Sequence, residues 1–169
     1  MKFTLIDKIT GCDCANKISV VKNLSLGEEY LADHFPKYPV MPGVLMIEAM
    51  TQAGSWLVRI LKGFSFSMIV LQEARNVKYG QFIVPGDQLV LDVNLKKMED
   101  NIATFKGKGK VGEKTAVSAQ FDLRFFNLAD KDKTLARNDE SLIDNARQAF
   151  ADLGGLKFLD EGMRRDFFR

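Results

Sequence analysis

The sequence predicts an α+β fold in which one long apolar helix is wrapped by an antiparallel sheet. Three observations lead there. Residues 44–58 contain a single charged side chain, Glu48, so a helix over residues 43–62 is apolar nearly all round and needs cover. Residues 88–98, 102–111 and 115–127 alternate apolar with polar at a period of two, as strands with one buried face do. Turn signals separate these segments: Val84-Pro85-Gly86-Asp87, Asp100-Asn101 and Gly112-Glu113-Lys114.

Taken in order, residues 16–26 read as a strand with Ile18 and Val20 alternating against polar neighbours. Residues 27–43 read as a loop, because Pro36, Pro39 and Pro42 exclude regular helix and restrict the residues before them. Gly43 opens the apolar helix and Gly63 is its stop signal. Residues 67–79 read as the next strand. In 88–98 the inner face is Leu89, Leu91, Val93 and Leu95. In 102–111 it is Ala103, Phe105, Gly107, Gly109 and Val111, and two glycines there admit another backbone or bend the strand. In 115–127, Val117, Ala119, Phe121, Leu123 and Phe125 point inward. Residues 1–128 are read as one domain, and 129–169 as a charged linker with a helical extension. Asn138 and Asp139 are N-cap candidates for a helix over 139–153, ended by Gly154-Gly155, and 156–169 reads as a second short helix. The stripe Leu142, Ile143, Ala146, Phe150 and Leu153 implies that this tail packs on something. The expectation is the outside of the sheet or a neighbouring protomer, through Phe150, Leu153 and Phe158.

Composition narrows the function classes. A net charge of +2, with no basic stripe interleaved with aromatics, argues against nucleic-acid binding but suits an acidic protein partner. Cys12 and Cys14, with one histidine far along the chain, cannot supply a four-ligand zinc set, so no metal is expected. They read as reduced thiols of a cytoplasmic protein. The first residues lack the apolar core of a signal peptide. Residues 44–61 carry Glu48, Gln52 and Arg59 and read as a core helix, not a membrane span.

The chemistry concentrates in one stretch. His34, the single histidine, is followed by three of the four prolines, and fourteen positions after it Glu48 stands alone on the apolar helix. A histidine and a carboxylate in such a setting make a general acid–base pair, with His34 as base and Glu48 as acid. The first N–H groups of the helix, near Gly43 and Val44, point at whatever occupies the loop and stabilise negative charge on a carbonyl oxygen. Base, acid and oxyanion donors together suit elimination of water from a 3-hydroxy carbonyl compound.

The run His34-Phe35-Pro36, Pro39-Val40-Met41-Pro42-Gly43-Val44-Leu45, Glu48-Ala49-Met50 and Gln52 resembles the active-site signature of 3-hydroxyacyl-[acyl-carrier-protein] dehydratases of the FabZ type. Val84-Pro85-Gly86-Asp87-Gln88-Leu89 and Phe3-Thr4-Leu5-Ile6-Asp7-Lys8-Ile9 extend the resemblance, which covers roughly residues 3–127. Glu48 favours the FabZ over the FabA type, which carries Asp there. The resemblance implies a hotdog fold and conversion of 3-hydroxyacyl thioesters to trans-2-enoyl thioesters in fatty acid biosynthesis, with no cofactor. It implies a homodimer, or a trimer of dimers, in which each site takes His34 from one protomer and Glu48 from the other. An apolar tunnel at that interface holds the acyl chain, and the Gly43 N–H contacts the thioester carbonyl. Lys37 stands where the family usually has glycine, and Gly80-Gln81 replaces a common basic pair. Arg75, Lys78 and Lys37 are left as the nearest cations for docking acyl carrier protein.

Two rivals share the fold. A hotdog thioesterase would need a carboxylate to activate water but not the His-Phe-Pro loop. A non-catalytic acyl-binding or assembly subunit would need neither His34 nor Glu48.

Overall fold

The computed structural model describes residues 4–35 and 37–167. Pro36 and Phe3, both part of the motifs above, lie outside the described residues. The elements run Lys8–Cys12 (β1), Lys17–Asn23 (β2), Gly43–Leu61 (α1), Met68–Tyr79 (β3), Gln88–Glu99 (β4), Ile102–Val111 (β5), Lys114–Phe126 (β6), Ala136–Asp152 (α2) and Glu161–Phe167 (α3). Short 3-10 turns at Glu29–Leu31, Leu128–Asp130, Lys133–Leu135 and Gly155–Phe158 punctuate them.

The six strands form one antiparallel sheet in the order β1-β2-β4-β5-β6-β3. Its inner face is the alternation read above: Leu89, Leu91, Val93, Ala103, Phe105, Val117, Phe121, Leu123 and Phe125 are buried. Against it lies α1, whose Ala49, Met50, Ala53, Leu57 and Val58 are fully buried. Its apolar length would allow a membrane crossing, but over half of that stretch is buried in the protein. The inner-face glycines make room for side chains and not for a backbone. A Cβ on Gly107 would stand 2.6 Å from the Met50 sulfur, and one on Gly109 would stand 2.8 Å from both Leu91 and Val117. Gly63 closes α1 in the left-handed region at φ +57°, as its stop position requires.

Strand β1 is absent from the sequence reading. It is five residues long and only Ile9 in it is fully buried, so alternation alone is too short to reveal it. Pairing with β2 makes it a strand.

The extension departs from expectation in where it packs. Phe150 is fully buried, with ring centroids 5.9 Å from Trp56, 5.5 Å from Phe64 and 5.8 Å from Phe167. The Ile9 N–H donates to the Leu153 carbonyl at 3.0 Å. The tail therefore covers the C-terminal end of α1 and lies along β1, not on the outer sheet face. Trp56 and Phe64 offer apolar surface there, whereas the outer strand face carries Lys106, Lys108 and Lys110.

Nor does Asp139 cap its own helix, which starts three residues earlier. Its carboxylate reaches back to accept from the Ser67 hydroxyl and from the N–H groups of Leu128 and Ala129, each at 2.9 Å. Burial works against this charge, but those three donors win and hold the carboxyl below the usual carboxylate range. A lowered folded pKa stabilises the fold above the unfolded value near 4 and loses that contribution as pH falls through the folded value. Asp139→Asn is expected to lower Tm at neutral pH and to flatten the acid side of a Tm–pH profile. An acid limb identical to the native one would remove Asp139 from this role.

The two sheet edges differ. The extension covers β1, while the free edge of β3 exposes Val70 and Leu71 at 37% and 39%.

Candidate active site

A tight turn aims the histidine. Phe35 adopts a left-handed backbone at φ +49°, a strained choice for a bulky residue, and its carbonyl accepts from the Tyr38 N–H at 2.8 Å. The Phe35 ring turns out to solvent and stands edge-on to His34 at 4.6 Å. The loop is then tied down by the Met41 N–H donating to the Ile83 carbonyl at 2.9 Å. His34 is half-buried and lines a cavity of about 660 Å³ together with Met41, Gly43, Val44, Tyr79 and Phe82.

Gly43 and Val44 open α1 at this cavity, so the helix N-terminus faces it. Pro42 precedes them with an extended backbone and lacks an N–H of its own. Gly43 must be small: a Cβ there would meet the Tyr79 ring at 2.8 Å. Gly80 must be small too, since a Cβ would stand 2.3 Å from the Thr115 carbonyl oxygen. The segment from Tyr79 to Phe82 thus walls the cavity. The sequence shows it only as the place where a basic pair is missing.

Glu48 opens elsewhere. It is half-buried on the stripe of α1 that the sheet leaves uncovered, in a second cavity of about 440 Å³. Its surroundings are mixed: Thr51, Gln52, Ser55 and Arg59 line the same space together with Ile6, Trp56 and Ile69. Gln52 orients the carboxylate. Its amide nitrogen donates to Glu48 at 2.9 Å, and its amide oxygen accepts from the Leu5 N–H at 2.9 Å. The backbone donor settles which end of the amide faces Glu48. Gln52 belongs to the quoted signature, but its positioning role needed the N-terminal segment to be placed. One chain therefore brings His34, Gly43 and Val44 together and leaves Glu48 in a separate cavity.

The cations split as well. The Arg75 guanidinium, expected as a docking cation, is paired with Glu73 at 2.7 Å and Asp122 at 2.9 Å. Lys78 and Lys37 are exposed, one beside the Tyr79 wall and one in the His34 loop.

A helix wrapped by an antiparallel sheet, with His34 at the helix start and a carboxylate on the uncovered stripe, defines a protein of the hotdog fold. The chain belongs to the FabA-like family, whose domain matches residues 1–120. It is similar to the 3-hydroxyacyl-[acyl-carrier-protein] dehydratase FabZ of Pelotomaculum thermopropionicum, 38% identical over 118 residues, covering 70% of this chain and 84% of that one. The protein of the same name from Levilactobacillus brevis is 38% identical over 128 residues, covering 76% and 85%. Among solved structures, the dehydratase heterocomplex ApeI:P from Xenorhabdus doucetiae shares the fold with a TM-score of 0.64 at 17% identity. It covers 79% of this chain and 90% of its own.

Proposed function

We propose that this protein is a 3-hydroxyacyl-[acyl-carrier-protein] dehydratase of fatty acid biosynthesis, cytoplasmic and dimeric, with each active site built from two chains. Residues 1–128 form the catalytic domain and 129–169 its extension. His34 removes a proton from C2 of the 3-hydroxyacyl thioester, and the electrons collect on the thioester oxygen, where the Gly43 and Val44 N–H groups stabilise them. Glu48 of the second chain gives its proton to the leaving 3-hydroxyl. Water departs and the trans-2-enoyl thioester remains.

The observation that carries this reading is the separation of His34 and Glu48 into two cavities of one chain. The bare edge of β3, with Val70 and Leu71 exposed, is the surface a second copy would pair with, and a two-fold axis would complete two sites at once. A stack of three such dimers uses the same site. The test is direct: 3-hydroxyacyl thioesters on acyl carrier protein should lose one water to give the enoyl product. Release of free acid would instead mark a thioesterase.

Carrier docking falls to Lys78 and Lys37. Lys78→Glu should raise KM for carrier-bound substrate several-fold at low salt, with the effect fading as salt screens it, because exposed charges act mainly on encounter. Arg75→Glu should do less, since Glu73 and Asp122 already occupy that guanidinium. A KM unchanged by Lys78→Glu at low salt would move the docking surface elsewhere.

A further inference from the structure

The cavity around Glu48 is not built by the catalytic segment alone. Ala149, Asp152 and Leu153, at the end of α2, form its far wall, and α2 begins at Ala136, beyond the residues matched to the FabA-like family. The wall is held firmly. Phe150, between those residues, is fully buried among aromatic rings, and Leu153 is tied to β1 through the Ile9 N–H.

The space leading from Glu48 to that wall is mixed: Ile6, Trp56 and Ile69 line it, with polar groups set among them. Ser55 and Arg59 follow Gln52 along α1. Arg59 donates to the carbonyls of Phe66 at 2.8 Å and Ser67 at 3.1 Å, which fixes its guanidinium at the cavity. Thr51, only 5% exposed, keeps a buried hydroxyl with no hydrogen-bond partner among the described residues, and Asp152 adds a carboxylate from the far side. An alkyl chain running past Glu48 toward the far wall would lie against the charged groups of Arg59 and Asp152 and offer them no hydrogen bond, which is unfavourable. It would then meet Ala149 and Leu153.

We infer that the C-terminal extension is the specificity wall of the acyl cavity, and that the enzyme takes short-chain 3-hydroxyacyl thioesters and is closed to long alkyl chains. This inference rests on the dehydratase reading above. It makes Ala149 and Leu153 specificity-determining residues although neither belongs to the family segment.

The experiment compares kcat/KM for 3-hydroxybutyryl- and 3-hydroxydecanoyl-acyl carrier protein in the full-length native protein, Leu153→Ala and Ala149→Phe, each checked for a cooperative melt. The native protein should prefer the butyryl substrate by about tenfold or more, since hydrophobic pockets discriminate on that scale. Leu153→Ala should narrow the ratio by about tenfold, and Ala149→Phe should widen it. Equal use of both substrates by the native protein, or one ratio shared by all three folded proteins, overturns the wall while leaving dehydration standing. Absence of enoyl product from either substrate overturns the dehydratase reading and this inference with it.

Discussion

His34→Ala and Glu48→Gln are each expected to lower dehydration by roughly a hundred- to ten-thousand-fold, the usual cost of losing a general base or acid. Neither change touches a buried apolar contact, so circular dichroism and Tm should stay near native. The more telling measurement mixes the two. If each site takes His34 from one chain and Glu48 from the other, a mixed dimer holds one doubly altered site and one native site. Random pairing after joint unfolding and refolding makes about half the dimers mixed, so about a quarter of native activity should return by that symmetry. If both groups came from one chain, every site would carry one alteration and no activity would return. Zero recovery from re-formed mixed dimers therefore ends the shared-site proposal. Near-native turnover in either single variant ends the acid–base assignment.

Phe150→Ala should be the most damaging single change in the extension, at about 3–5 kcal/mol, the range for deleting a buried aromatic side chain. Three aromatic rings, Trp56, Phe64 and Phe167, pack within 6 Å of Phe150, centroid to centroid, and would face the resulting void. Gly155 also stands close against the Phe150 ring, which a Cβ there would meet at 2.4 Å. Urea unfolding should show a lower midpoint with an unchanged slope, the signature of lost stability in one cooperative unit. Two separate transitions would mean that α2 and the sheet unfold independently. An unchanged midpoint would mean that the extension contributes nothing to the fold. Of the two outcomes, the second would also weaken the cavity wall that Leu153 and Ala149 form.

The strands β4, β5 and β6, the helix α1 and the His34-to-Glu48 signature were legible in the chain. Each depends on local information: a period of two, an apolar run with one charge, prolines that forbid helix, turn residues that accept φ > 0. Strand β1 was not legible, because a five-residue segment with one buried isoleucine carries no period and becomes a strand only by pairing. The role of Gln52 was not legible either, since its amide is oriented by the Leu5 N–H, 47 residues away in sequence. The same holds for Asp139. Its position invites an N-cap, but the Ser67 hydroxyl and two N–H groups from the 3-10 turn after β6 compete for the carboxylate and win.

The sequence by itself determined the layer architecture and the residue types of the candidate site, because burial patterning and motif chemistry are written residue by residue. Only the tertiary structure decided which groups share a cavity. It put His34 beside Gly43 and Val44, set Glu48 apart on the uncovered stripe of α1, neutralised Arg75 with Glu73 and Asp122, and laid the extension against Glu48's cavity. Those are distances between residues far apart in the chain, and they follow from which apolar faces find each other when the chain packs.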